Sequence, residues 1–204
     1  MRGRHDWRSL PVTVALATLL VVFAYAHFEQ WRKTGRPVGL GLVTLELVTA
    51  LLFVARRRPQ ATSRSALAWL ATGIGAFGML AARPNAGPDN GPLVLLEAVQ
   101  LLGVAVALLS LVSLGRSFGL VAANRGIKMG GPYRLVRHPA YAGYLLTYVG
   151  YVLENPSTRN LLVLFGSTFF QLVRIAEEER LLSADAVYRD YCRRVRYRLV
   201  PFLY

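Results

Sequence analysis

Apolar residues fall in six long runs, with polar and basic residues gathered between them: Leu10–Phe28, Val38–Ala55, Ala66–Ala82, Pro92–Leu114, Pro139–Leu153 and Asn160–Val173. The first four are about 17–23 residues long, near the ~20 a helix needs to cross the hydrocarbon of a bilayer. The last two are shorter, about 14–15 residues, or ~22 Å at helical rise. They are joined by ENPSTR, where Pro156 with Asn155 and Ser157 supplies turn chemistry. The pattern predicts an all-α polytopic membrane protein with about six membrane-embedded helices. The last two form a helical hairpin, and at least one of them continues past the bilayer as a more polar helix. A helical C-terminal segment follows on the cytoplasmic side. Residues 1–114 then hold the N-terminal transmembrane helices and 115–204 the C-terminal region of one integrated membrane domain.

Charge gives the predicted helices an orientation. The 204-residue chain is 54% hydrophobic, with mean hydropathy +0.37, yet carries a net charge of +13. The two coexist because the arginines sit at the ends of apolar runs, which argues against nucleic-acid binding as the reason for the basic balance. With six crossings and a cytoplasmic N-terminus, nineteen of the 24 Lys and Arg lie inside, including Arg2, Arg4, Arg8, Arg56, Arg57, Arg58 and Arg64. The five outside are Arg32, Lys33, Arg36, Arg83 and Arg159. This bias predicts both termini in the cytoplasm, with the three basic residues of the first outer loop as its weak point. The basic N-terminus followed by an apolar run also resembles a signal peptide, but Leu10–Phe28 is too long for a typical signal core and reads as a retained span.

Several features carry little chemistry. Cys192 is the one cysteine and allows no internal disulfide or cysteine zinc site; beside its arginine neighbours, but with no base in view, it reads as structural. His5, His27 and His138 form no pair at helical spacing, so no metal is expected. Gly73, Gly75 and Gly78 spell GxGxxG inside an apolar run; the small-residue spacing suits helix packing rather than a dinucleotide turn. Glu46 and Glu97 lie within apolar runs, either as functional acids or as hydrogen-bonded packing acids.

The chemistry gathers in two places. Gly130–Gly143 reads GGPYRLVRHPAYAG. Gly130 and Gly131 free the backbone, and Pro139 suits the first turn of a helix, where its missing N–H is harmless. His138 falls at the cap position, beside free N–H groups that attract a carboxylate, with Arg134 and Arg137 adding charge. Gly143 permits close approach of a ligand or a neighbouring helix. A basic juxtamembrane anchor explains the same residues equally well. The second concentration is Gln171–Tyr204. Arg174 and Glu178 share a helix face at a spacing of four, Glu177, Glu178 and Glu179 cannot all point one way, and Tyr188 and Tyr191 are three apart. A surface helix laced with ion pairs such as Arg174–Glu178 is the competing reading. A short hairpin brings both concentrations to the same inner end.

GPYRLVRHPAYAG, RIAEEERLL and YRDYCRRVRYRLVPFLY, in that order, resemble the isoprenylcysteine carboxyl methyltransferases and their bacterial relatives, over roughly residues 115–204. The family pattern is GxYxxxRHPxYxG, then RIxxEExxL, then a paired-tyrosine helix ending in proline. The resemblance implies an integral protein of a bacterial inner (plasma) membrane, with S-adenosylmethionine bound by the C-terminal half. A lipophilic acceptor enters from the membrane lipids. It places Tyr133, Arg137, His138, Pro139, Tyr141 and Gly143 in the cofactor motif, matches Glu178 and Glu179 to the family's glutamate pair, and matches Arg174 to the arginine that orients the acceptor. The segment from Leu182 to Tyr188 departs from the pattern: it is shorter and lacks Phe-Gly.

Methyl transfer from a sulfonium is an in-line displacement, so the protein mainly positions the reactants and excludes water. A carboxylate acceptor needs a cation, for which Arg174 offers a two-point fork; a phenol or amine needs a base, which Glu178 can supply. The cofactor carboxylate would suit the helix start at His138 together with Arg137. Arg174 and Glu178 are therefore the expected catalytic residues. Tyr133, Arg137, His138, Pro139, Tyr141, Gly143, Glu178 and Glu179 are the expected cofactor contacts. A phospholipid or amine N-methyltransferase, a nicotinamide-dependent membrane reductase and a non-catalytic adaptor binding anionic lipid are the alternatives.

Overall fold

A computed structural model describes residues 10–57, 59, 61–63, 65–84, 93–121 and 123–203. Arg2, Arg4, His5, Arg8, Arg58, Arg64, Pro92 and Tyr204, used in the sequence reading, lie outside the described residues. Among the described residues seven α-helices follow in order: α1 (Leu10–Thr34), α2 (Pro37–Ala55), α3 (Ala66–Phe77), α4 (Leu93–Leu114), α5 (Pro139–Glu154), α6 (Thr158–Leu182) and α7 (Ala186–Arg194). Two-residue strands β1 (Ala61–Thr62) and β2 (Ala123–Asn124) pair antiparallel on the loop side.

Local chemistry sets the helix ends. Gly35 turns the chain between α1 and α2 at φ +68, and Pro37 opens α2. Ser65 caps α3, Ser157 caps α6 and Asp185 caps α7, each side-chain oxygen accepting a backbone N–H of the first turn. Each of the six apolar runs forms a helix, but they differ in reach. Among the described residues, α1, α2 and α4 are long and apolar enough to cross a membrane. The run Ala66–Ala82 gives only twelve α-helical residues before tightening into a 3-10 turn at Gly78–Ala81. Helix α6 has 25 residues, and its last turns, which carry Arg174 and Glu177 to Glu179, are more polar than its start. Large apolar side chains lie exposed along the outward faces, among them Val22, Leu51, Val54, Leu102, Leu109 and Phe165. An aqueous surface does not carry bands of this kind, and lipid provides their solvent.

The helices pack in pairs: the consecutive α1 with α2 and α4 with α5, and, out of sequence order, α3 with α6. Although only three residues separate α5 from α6, each has its main partner elsewhere. Small residues explain the choice. A Cβ on Gly143 of α5 would stand 2.7 Å from Gly103 O of α4, and one on Gly150 would stand 2.7 Å from Gln100 Cγ. Gly75 of α3 lies against the Gln171 backbone, and Gln171 Nε2 donates to Gly75 O at 3.2 Å. Gly75 and Gly78 thus serve α3–α6 packing, while Gly73 has open space beside it. Glu97 is also a packing acid: its carboxylate accepts from Val38 N at 3.1 Å and sits 3.7 Å from Arg36. Arg36 also pairs with Glu154, whose other oxygen accepts from Gln100 at 2.7 Å. This part-buried network ties the α1–α2 turn to the α4–α5 pair.

Candidate active site

At the opposite end, where the basic loops gather, the C-terminal tail folds back over the start of α5. Arg137 N donates to Tyr197 O at 2.9 Å and His138 N to Arg198 O at 2.8 Å. Tyr191 Oη donates to the Tyr133 carbonyl at 2.7 Å, closing a buried cluster of Tyr133, Tyr188, Tyr191 and Val195. Burial first, with neighbouring charges adding, pushes all three phenols above their ordinary range. They are neutral walls at physiological pH.

Glu179 is the keystone of this clasp. One carboxylate oxygen accepts from Arg137 Nε at 2.8 Å and lies 3.1 Å from His138 Nε2; the other accepts from Arg198 at 2.9 Å. Burial opposes this charge. The hydrogen bonds from His138 and Arg198 and the charges of His138 and Arg137 outweigh burial and hold the carboxyl at about 2. A carboxylate whose pKa is depressed below its ordinary 4.5 contributes its stability above that value and loses it as pH falls toward about 2. Glu179→Gln is therefore expected to lower stability by ~1.5–3 kcal/mol at pH 7, since three donors lose a charged acceptor. Thermal unfolding in detergent between pH 7 and 3 should show the wild type losing stability toward acid and the variant changing less. Parallel curves would remove Glu179 from this role.

The neighbouring groups face a cavity of about 590 Å3, within the ~300–1,000 Å3 of ordinary small-molecule sites. Tyr133, Arg137, His138, Tyr141, Arg174 and Glu178 are among its lining residues. Tyr141 Oη donates to Glu178 at 3.0 Å, and the Arg174 guanidinium lies 5.0 Å above the Tyr141 ring. The two sequence concentrations thus meet here. The surface ion pair considered for Arg174 does not form: among the described residues Arg174 has no carboxylate within 4 Å, is 8% exposed, and its Nε has no hydrogen-bond partner. The exposed pair on α6 is Arg180 with Glu177 instead.

Three expected cofactor contacts stand off the cavity lining. Pro139 opens α5 as a buried first-turn residue. Gly143 faces the backbone of α4, so the close approach it permits is that of a helix. Glu179 is consumed by the clasp, and with it the side chains of Arg137 and His138.

Residues outside the expected site set also reach the cavity, Arg125 unforeseen and Glu46 and Tyr188 left without a role by the sequence. Arg125 is 9% exposed with its Nε unpartnered, and the Tyr188 hydroxyl is buried without a partner. Glu46 lines the apolar half together with Tyr144 and Tyr148. No local pattern marks Arg125; in the sequence it is one of many loop arginines.

The described residues contain no group of three or more potential metal-binding side chains. Residues 94–189 match the family Phospholipid methyltransferase. The chain is similar to Methanethiol S-methyltransferase 2 of Bradyrhizobium diazoefficiens, 29% identical over 91% of this chain and 72% of that protein. It also resembles a Delta(14)-sterol reductase of Mus musculus, 30% identical over 41% of this chain and 21% of the reductase. The family match spans α4 to the middle of α7 and so covers both halves of the cavity's polar end. The motif order, the meeting of those motifs in one cavity and these similarities together support a likeness between this chain and the isoprenylcysteine carboxyl methyltransferase-like membrane enzymes.

Proposed function

We propose that the protein transfers a methyl group from S-adenosylmethionine to a lipophilic acceptor, and that Arg174 orients the acceptor's anionic group. The observation that carries this reading is the buried, unpaired Arg174 guanidinium in the wall of a cavity that is elsewhere largely apolar. Leaving a buried charge unmatched costs several kcal/mol, so an anionic ligand group is its natural partner. The residues fit a sulfonium cofactor: Glu178 offers a carboxylate for an amine or ribose hydroxyl, and the tyrosines offer stacking surface. When bound, that cofactor supplies an already activated methyl group. The chain's own residues position the acceptor and exclude water.

The preferred acceptor is a lipophilic carboxylate such as an isoprenylcysteine-like or other lipid acid. The relative named for methanethiol S-methylation favours a thiol acceptor as the second reading. A thiol needs a base, and Glu178 is the carboxylate at hand. Titration of detergent-purified protein with S-adenosylhomocysteine, followed by labelled-methyl transfer to matched carboxylate and thiol lipids, separates these. Nicotinamide binding without sulfonium-cofactor binding would overturn the methyltransferase reading.

The site is proposed to open to the cytoplasm, where the cofactor is made, with both termini on that side. The excess of Lys and Arg, nineteen against five, on that side supports this. Single cysteines at 34 and 200, introduced into a Cys192→Ser background, are expected to label from outside and inside respectively with a membrane-impermeant reagent. The reverse pattern would sink the orientation.

A further inference from the structure

We propose that Arg125 binds the carboxylate at the amino-acid end of the sulfonium cofactor, opposite Glu178, which takes the adjacent ammonium. This rests on the methyltransferase reading above and names a binding residue outside its sequence motifs.

The cations that the motif offers for that carboxylate are already committed. Arg137 and His138 are held on Glu179, and Pro139 has no N–H to donate at the start of α5. Arg125 is free where they are not. It lies on the cavity wall, nine-tenths buried, with no carboxylate within 4 Å among the described residues and its Nε unpartnered. Arg56, a like charge, and the Glu178 carboxylate both act on its charge, and Glu178 does not pair with it. Arg56 is itself engaged, stacked 3.8 Å over the Phe53 ring and bonded to Thr13. The Arg125 charge thus stands in the cavity wall without a paired carboxylate among the described residues. Burial and Arg56 together lower the Arg125 pKa to about 10, so it remains charged at neutral pH.

The backbone also holds this side chain in place. Ser117 Oγ donates to the Arg125 carbonyl at 3.1 Å, Asn124 Oδ1 accepts from Gly126 N at 3.0 Å, and β2 anchors the preceding residues to β1. Gly119 leaves a notch for the guanidinium: a Cβ there would stand 2.7 Å from its Cζ. A fixed fork lining the same cavity as the Glu178 carboxylate matches an amino-acid zwitterion, whose carboxylate and ammonium are adjacent. Arg125 is a cofactor rather than an acceptor residue because it sits in the polar loop region with Tyr133 and Glu178. The acceptor's apolar approach lies among the spanning helices.

The test compares two ligands by calorimetry on wild type, Arg125→Gln and Arg125→Lys. S-adenosylhomocysteine carries the amino-acid end; methylthioadenosine lacks it. Arg125→Gln is expected to weaken S-adenosylhomocysteine roughly 10- to 100-fold, the loss of a charge-assisted pair, and to leave methylthioadenosine within about twofold. Arg125→Lys should fall between. Equal losses for both ligands, or wild-type affinity for S-adenosylhomocysteine, overturn the assignment. So does a rise in acceptor KM with cofactor affinity unchanged, which would hand Arg125 to the acceptor. If the glutamine variant does not fold, decarboxylated S-adenosylhomocysteine serves with the wild type: binding as tight as the parent ligand overturns the proposal, and a loss of about tenfold or more supports it. A wild type that binds none of these ligands fails at the methyltransferase reading itself.

Discussion

Arg174→Lys is expected to lower methyl transfer about 100-fold while changing cofactor affinity little, because misplacement of a reacting group by about 1 Å costs that much in rate. Lysine keeps the charge but loses the planar fork that can hold a carboxylate at two points. The guanidinium also lies over the Tyr141 ring, a stacking arrangement that an ammonium reproduces poorly. Single-turnover transfer to a lipid carboxylate, run beside an S-adenosylhomocysteine titration, reads the two effects separately. Near-normal turnover would remove Arg174 from the acceptor site and leave the methyltransferase reading untouched. A thiol acceptor predicts a smaller effect, since a neutral thiol has no second oxygen to receive the fork.

Gly143→Val is expected to unfold the protein or separate α4 from α5, costing about 3 kcal/mol or more, at the upper end of overpacking penalties. The first added atom alone would stand 2.5 Å from Ala107 N and 2.7 Å from Gly103 O. Both are helix backbone and cannot turn aside as a flexible side chain would. Gly73→Ala in α3 is the control, because nothing lies within 4 Å of the added Cβ. Melting temperature in detergent and elution as a single species are the readouts. A folded Gly143→Val protein that has lost only cofactor binding would return Gly143 to the ligand-contact role its motif implies.

Much of this molecule was legible along the chain. Six apolar runs marked six helices because lipid-facing and packed positions alike require apolar side chains, and that demand is local and continuous. Pro139, Ser157 and Asp185 marked helix starts because capping is settled within one turn. The meeting of the RHP segment with the Arg174–Glu179 segment followed from topology, since the short link between α5 and α6 leaves their polar ends on one side.

What the tertiary structure alone decided is which partner each of these residues takes. Gly143 and Gly75 direct α5 to α4 and α3 to α6, because close approach depends on small residues meeting across two helices far apart in sequence. Glu178 and Glu179 are neighbours in the chain but part company: one meets Tyr141 at the cavity, the other meets Arg137, His138 and Arg198 in the clasp. Arg125 and Arg174 look like any other arginines in a basic protein until burial removes water from around them. Sequence determines which groups carry charge and where helices run. The cost or use of a charge depends on the dielectric and the partners around it, and those are assembled from distant segments.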